Sequence, residues 1–259
     1  MNAIIIALFA ILIISGCADN KNKLVYLEIV HERADCNPYC STEYILFSNG
    51  TMMKKQSNDN GPYMNKVELV KVAPEKALSA IMAIEDYGLE YRPERCDHCN
   101  RYTLLTLKDG APFMHVIEEE RAAPKVKEIF DDSSSLFFEG EEIEQFFVQF
   151  VYTRLGQNTI DYHIFSDGSV LKEEFIGQEL VLGAASAFEI EEDKIDLLKE
   201  KFDSKFFNSK SGLNNCTSNG LSSGYMQVMK GEFYSFEWTC GTLESRVDEV
   251  FNEMMEEYG

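Results

Sequence analysis

The chain has 259 residues, 45% of them hydrophobic and 12% aromatic. That is ordinary globular composition, long enough for one large domain or two of about 100–130 residues. Its 44 acidic residues outnumber 24 basic ones, for a formal net charge of -20, which repels phosphate backbones and anionic lipid alike. Nucleic acid is therefore not expected as a partner, and any membrane contact needs a covalent or inserted anchor.

Ile4 to Ile14 is almost wholly apolar, and no charged side chain precedes Asp19. A bilayer span needs about 20 such residues; this run has the length of a signal-peptide hydrophobic region. Ile14-Ser15-Gly16-Cys17 follows it and resembles the lipobox of bacterial lipoproteins. The resemblance implies removal of a signal peptide spanning residues 1–16, diacylglycerol on the Cys17 sulfur, and an acyl chain such as palmitate on its amine. Two lipid signals are what stable anchoring requires. The leading Met1-Asn2-Ala3 carries no Lys or Arg, so there only the terminal amine is positive. Residues 17–23 read as a lipidated tether. Ala18 after the cysteine resembles outer-membrane sorting in Gram-negative cells, so the expected address is the cell envelope, facing the periplasm in such a host.

Beyond the tether the chain repeats itself. Tyr44-Ile45-Leu46-Phe47-Ser48-Asn49-Gly50-Thr51 matches Tyr162-His163-Ile164-Phe165-Ser166-Asp167-Gly168-Ser169, and Lys54 matches Lys172. Each block alternates into Asn-Gly or Asp-Gly, a strong hairpin signal. A strand precedes each, Leu24 to Val30 and Gln145 to Arg154. Val72 to Lys76 aligns with Ile190 to Lys194, where Pro74 and the acidic residues suit a helix start. Ala77, Ile81 and Ile84, like Ile195, Leu198 and Phe202, fall at helical spacing. A cysteine loop follows, holding Cys96 or Cys216. Then comes a second hairpin, Tyr102 to Ile117 around Asp109-Gly110, or Tyr225 to Trp238 around Lys230-Gly231. Short helices over Ala123 to Phe130 and Leu243 to Tyr258 close the units. The join falls near Asp131 to Glu144, where periodic pattern lapses.

The expected fold is therefore α+β: a tandem repeat of two antiparallel-sheet units with helices packed on one face, over residues 24–134 and 140–259. Each unit should hold four or five strands. Phe47, Phe113, Phe165 and Trp238 are expected in the core.

Cys36-Asn37-Pro38-Tyr39-Cys40, followed by Tyr44 to Thr51, a helix and a second hairpin, resembles a family of uncharacterised domains in exported bacterial proteins. In that family a Cys-Pro-x-Tyr-like element precedes an aliphatic strand ending in Asp-Gly. The likeness spans Leu24 to Phe130 and, more weakly, Gln145 to Phe251, where Arg154 and Asn158 stand near the places of the cysteine pair. It implies export and fold, and brings no established activity.

Seven cysteines are present; with Cys17 lipidated, six remain. An exported location favours disulfides. Cys216 and Cys240 form the simplest pair, closing a loop of about 24 residues and contributing about 3 kcal/mol by loop-entropy arguments. Cys36, Cys40, Cys96 and Cys99 allow three connectivities, of which cross-pairing of the two clusters is preferred. Alternatively these four, with His98 as a substitute ligand, have spacings compatible with zinc. A redox dithiol at Cys96 and Cys99 is a third reading, although its loop precedes a strand rather than a helix.

No G-x-S-x-G, H-E-x-x-H, Walker A or G-x-G-x-x-G sequence is present, and no catalytic residue is assigned. His31, His98, His115 and His163 have no nucleophile partner at motif spacing and read as surface or strand residues. Gln56 to Gly61 fails as a calcium loop because Gln56 and Val67 occupy its first and last ligand positions. The leading functional reading is a lipid-anchored envelope protein with a non-enzymatic binding or accessory role. It needs no cofactor and has the membrane and an envelope protein as partners, binding through an exposed sheet face or the cysteine loops. The alternative is a metal-binding or thiol-active protein using the first cysteine cluster. An enzyme without a recognisable motif is the third.

Overall fold

The computed structural model describes residues 23–34, 39–58, 66–84, 100–108, 111–118, 124–154, 158–177, 181–202, 222–230 and 232–239. The first half holds β1 (Lys23–Leu24), β2 (Tyr26–Glu32), β3 (Ser41–Phe47), β4 (Thr51–Ser57) and β5 (Lys66–Lys71). Helix α1 (Pro74–Ala83), β6 (Arg101–Lys108), β7 (Ala111–Glu118) and helix α2 (Pro124–Glu139) follow. The second half holds β8 (Glu141–Glu142), β9 (Phe146–Arg154), β10 (Thr159–Phe165), β11 (Ser169–Ile176) and β12 (Val181–Glu189). Helix α3 (Glu192–Lys201), β13 (Ser222–Lys230) and β14 (Glu232–Thr239) complete the order.

The strands form two seven-stranded sheets, the first β7-β6-β2-β3-β4-β5-β8 and the second β1-β12-β11-β10-β9-β13-β14, with antiparallel pairing throughout. Read in reverse, the second order is the first one strand for strand. Each sheet ends on a two-residue strand lent by the other half: Leu24 of β1 pairs with Ala187 of β12, and Val70 of β5 pairs with Glu142 of β8. The fold is α+β, as expected from strands that precede and follow short helices. The strands Lys66–Lys71 and Val181–Glu189 exceed the expected number per unit. Helix α2 also runs well past Phe130, because Val126, Ile129, Ser133 and Phe137 form one buried stripe. Ser133 to Ser135 therefore lie inside a helix rather than in an aperiodic join.

The arrangement of layers explains why the strands are apolar on both faces. Tyr26, Ile45, Phe47, Met53, Leu69 and Leu105 of one sheet pack against Phe147, Phe165, Leu171, Leu182 and Ala187 of the other. The opposite face of the first sheet meets Ala77, Ile81, Ile129 and Phe137 of α1 and α2, and that of the second meets Ile195 and Leu198 of α3. The order of layers is helix, sheet, sheet, helix. The face that a two-layer unit would expose is covered by the other sheet. Phe47 and Phe165 are fully buried and meet edge to face at 5.1 Å. Phe113 is half-buried against His115, and the Trp238 side chain lies outside the described residues.

The two Asx-Gly turns meet at one end of this sandwich. Asn49 Oδ1 accepts from the Thr51 amide, and Asp167 Oδ1 from the Ser169 amide. Across the junction Asn49 Nδ2 donates to Ser169 Oγ at 2.9 Å and to Glu189 Oε1 at 2.6 Å, while Lys71 Nζ and Thr51 Oγ1 both donate to Asp167 Oδ2. Gly50 and Gly168 have φ of +92° and +87°. Their carbonyls accept from the Val72 and Ile190 amides, which leads each chain into the following helix. Among the described residues no helix is long and apolar enough to cross a membrane.

Candidate functional site: a polar cluster between the sheets

The alternation of β2 that sends Leu27 and Ile29 toward the helices sends Tyr26 and Glu28 toward the second sheet. Register carries this across the strands. Glu43 on β3 and Lys55 on β4 lie directly opposite each other, as do Asp161 on β10 and Glu173 on β11, and His163 and Gln149 on β10 and β9. Four carboxyls, one ammonium and one imidazole thus share the inter-sheet space with Tyr26 and Gln149.

The contacts are specific. Lys55 Nζ pairs with Glu43 Oε2 at 2.9 Å. Gln149 Nε2 donates to Asp161 Oδ2 at 2.8 Å, and His163 Nε2 lies 3.0 Å from Asp161 Oδ1. Tyr26 Oη crosses between the sheets to donate to Glu173 Oε1 at 2.7 Å. Glu28 is 8% exposed, Glu173 and His163 each 2%. Glu28 Oε2 and Glu43 Oε1 are buried with no hydrogen-bond partner among the described residues.

Burial is the largest influence on the acids. It pushes the Glu28 carboxyl well above the usual range, and the nearby Glu173 and Glu43 push the same way while Lys55 opposes them. Burial likewise raises Glu173 to about 7, against the pull of His163 and the Tyr26 hydroxyl. For His163 burial disfavours the imidazolium, but the Asp161 carboxylate outweighs it and holds the ring above its ordinary value. Lys55 follows the same logic: burial opposes its charge, and Glu43 restores it. The cluster is therefore a proton-holding, mutually bracing set. Among the described residues no group of three or more His, Cys, Asp or Glu is arranged to hold a metal ion.

Cys17, Cys36, Cys96, His98, Cys99, Cys216 and Cys240 fall outside the described residues. Cys40 is 1% exposed, where its amide donates to Ser57 O and its carbonyl accepts from the Arg33 amide. Its Sγ lies 2.7 Å from the Asn58 carbonyl oxygen. His31 stacks on Tyr102 at 4.3 Å. His115 and His163 are strand residues, but buried ones. Sequence reasoning missed Glu28, Glu43, Lys55, Asp161 and Glu173, because polar residues alternating with apolar ones in a strand imply a solvated face. The available signal was the similarity of the two sequence blocks, whose offset aligns Glu43 with Asp161 and Lys55 with Glu173.

Comparison with family models, with curated proteins and with solved structures finds no match to this chain.

Proposed function

We propose that this is a lipid-anchored protein of the bacterial cell envelope with a non-enzymatic binding or accessory role, built from two copies of one α+β module. The observation that carries the address is Ile14-Ser15-Gly16-Cys17 directly after an apolar run with no charge before Asp19. The tether from Cys17 to β1 is six residues long and, fully extended, spans about 20 Å, which would hold the sandwich close to the membrane.

Three observations support duplication. The sheets share one strand order. Matching positions differ by 118 throughout the first hairpin and into the helix, with Tyr44, Gly50 and Val72 corresponding to Tyr162, Gly168 and Ile190. The contacts between halves are reciprocal: Asn49 reaches Ser169 and Glu189, and their counterparts Thr51 and Lys71 reach Asp167. The domain readings of residues 24–134 and 140–259 belong to this proposal.

A binding role is favoured over catalysis because the ionisable groups brought together are engaged with one another between the sheets. With the inner sheet faces covering one another, binding falls to the outer surface, the edges and the loops. The six cysteines beyond Cys17 are read as disulfide partners, with zinc at Cys36, Cys40, Cys96, Cys99 and His98 as the alternative.

Intact mass measurement of the full chain purified from a bacterial envelope tests this reading. The expected product begins at Cys17, carries thioether-linked diacylglycerol and an amide-linked acyl chain, has no alkylatable thiol before reduction, and holds no zinc. Cys17→Ser should abolish incorporation of labelled palmitate. A wild-type chain retaining Met1 and lacking lipid would overturn the address, and free thiols with stoichiometric zinc would overturn the disulfide reading.

A further inference from the structure

The inter-sheet cluster has more acids than bases. Glu28, Glu43, Asp161 and Glu173 face Lys55 and His163, so full ionisation would leave two uncompensated negative charges between closely packed sheets. Two pairings are direct: Lys55 with Glu43 at 2.9 Å and His163 with Asp161 at 3.0 Å. Glu28 and Glu173 are then the acids without a cation of their own. Among the described residues, Glu173 Oε1 accepts from the neutral phenol of Tyr26. Glu28 is more than nine-tenths buried, and its Oε2 has no partner among the described residues. An ionised carboxylate in that position is strongly disfavoured, whereas a neutral carboxyl is tolerated there.

The remaining neighbours supply no counter-charge. On the same inner faces β9 and β13 present Gln149 and Gln227, β6 presents Leu105, and β12 presents Ala185. Lys71 and Arg101 share the inner face of the first sheet by alternation but are engaged at its ends with Asp167 and Glu32, so Lys55 and His163 are the bases that act on Glu28 and Glu173 among the described residues.

We propose that the junction between the two sheets is a pH-sensitive latch: Glu28 and Glu173 are neutral carboxyl groups in acidic to neutral surroundings, and their ionisation above that range loosens the sandwich. The proton lost from each leaves to solvent, and the charge it leaves behind repels Glu43 and Asp161. His163 works in the same direction, because its imidazolium also loses its charge as pH rises and no longer offsets Asp161. The sign follows from linkage. A group that holds its proton more tightly folded than unfolded contributes stability below its unfolded value, and that stability is lost as pH rises through the folded value. For Glu173 the window runs from the ordinary glutamate range to about 7; for Glu28 it extends upward from the same lower limit. Within it the unfolding equilibrium constant should rise about tenfold per pH unit for each such proton.

The test is urea unfolding of the full chain in non-ionic detergent, followed by circular dichroism from about pH 5 to about pH 9. The native carboxyl carbons of Glu28 and Glu173 are titrated in parallel by NMR. Wild type should lose stability steadily across the range. Glu28→Gln and Glu173→Gln should each flatten that loss and unfold at higher urea than wild type at the alkaline end, while the surface change Asp132→Asn keeps the wild-type slope. Both carboxyls should titrate above the ordinary range. A wild-type stability that is flat or rising, or a double variant with the wild-type slope, would overturn the proposal. If a variant does not fold, wild-type carboxyls titrating at ordinary values would overturn the proposal, and raised values together with wild-type stability that falls as pH rises would support it.

Discussion

Gly50 and Gly168 show how much one position can carry. A Cβ on Gly50 would lie 2.2 Å from Val72 O, and one on Gly168 would lie 2.5 Å from Ile190 O. Those neighbours are backbone, so they cannot swing aside, and the positive φ adds strain of its own. Gly50→Ala or Gly168→Ala should each cost about 2–3 kcal/mol in urea unfolding. Gly177 also has positive φ, +71°, but nothing lies within 4 Å of its Cβ position. Gly177→Ala should therefore cost only the left-handed backbone term, about 1 kcal/mol. Equal losses at all three sites would count against the close approach of turn and strand. The three glycines are chemically alike in the sequence, and only the neighbouring carbonyl separates them.

At the scale of elements, the exchanged strands β1 and β8 join the halves more directly than any loop. Leu24 pairs with Ala187 at the edge of the second sheet, and its side chain enters the inter-sheet core. Leu24→Ala should cost about 2–4 kcal/mol. Amide exchange should quicken at Ala187 and Phe188 in the second sheet while β3 and β4 keep their protection. Uniform loss across both sheets would mean that β1 is not a separable edge. The helices obey simpler rules. Pro74 and Glu75 open α1, and Glu192 and Asp193 open α3, where backbone N–H groups favour negative charge. Their starts are legible from local sequence because a proline at the first turn and the charge preference of the helix dipole both act locally. The length of α2 is not, since Ser133 to Ser135 reads as a linker until Val126, Ile129 and Phe137 are seen buried on one side.

For the whole molecule, pH acts from two sides. The inner cluster favours acid, whereas the turn junction favours the opposite. At Asp167 burial would raise the carboxyl, but Lys71, the Thr51 hydroxyl and the Ser169 amide outweigh it and hold it below the usual range. Its contribution is present above the unfolded value and lost as pH falls through the folded one. The Lys71 pair is partly solvated, so Asp167→Asn should cost about 1 kcal/mol near neutrality. The same variant should lose less than wild type between about pH 5 and pH 2, as read by thermal unfolding. An unchanged acid limb would sink that assignment.

Local pattern sufficed for the hairpins around Asn49-Gly50 and Asp167-Gly168, for the helix starts and for the α+β class, because turn chemistry and side-chain periodicity act over a few residues. It also placed Phe47 and Phe165 in the core. What it could not decide was how one sheet meets the other. A strand such as Tyr26 to Glu32 alternates in the same way whether its second face meets water or another sheet, so Glu28 reads as solvated until the partner sheet is placed. Burial of Glu28, Glu43 and Glu173, and every shift that follows from it, is a property of that long-range packing. Charge in a strand is written by the sequence; the dielectric around it is set by the tertiary fold.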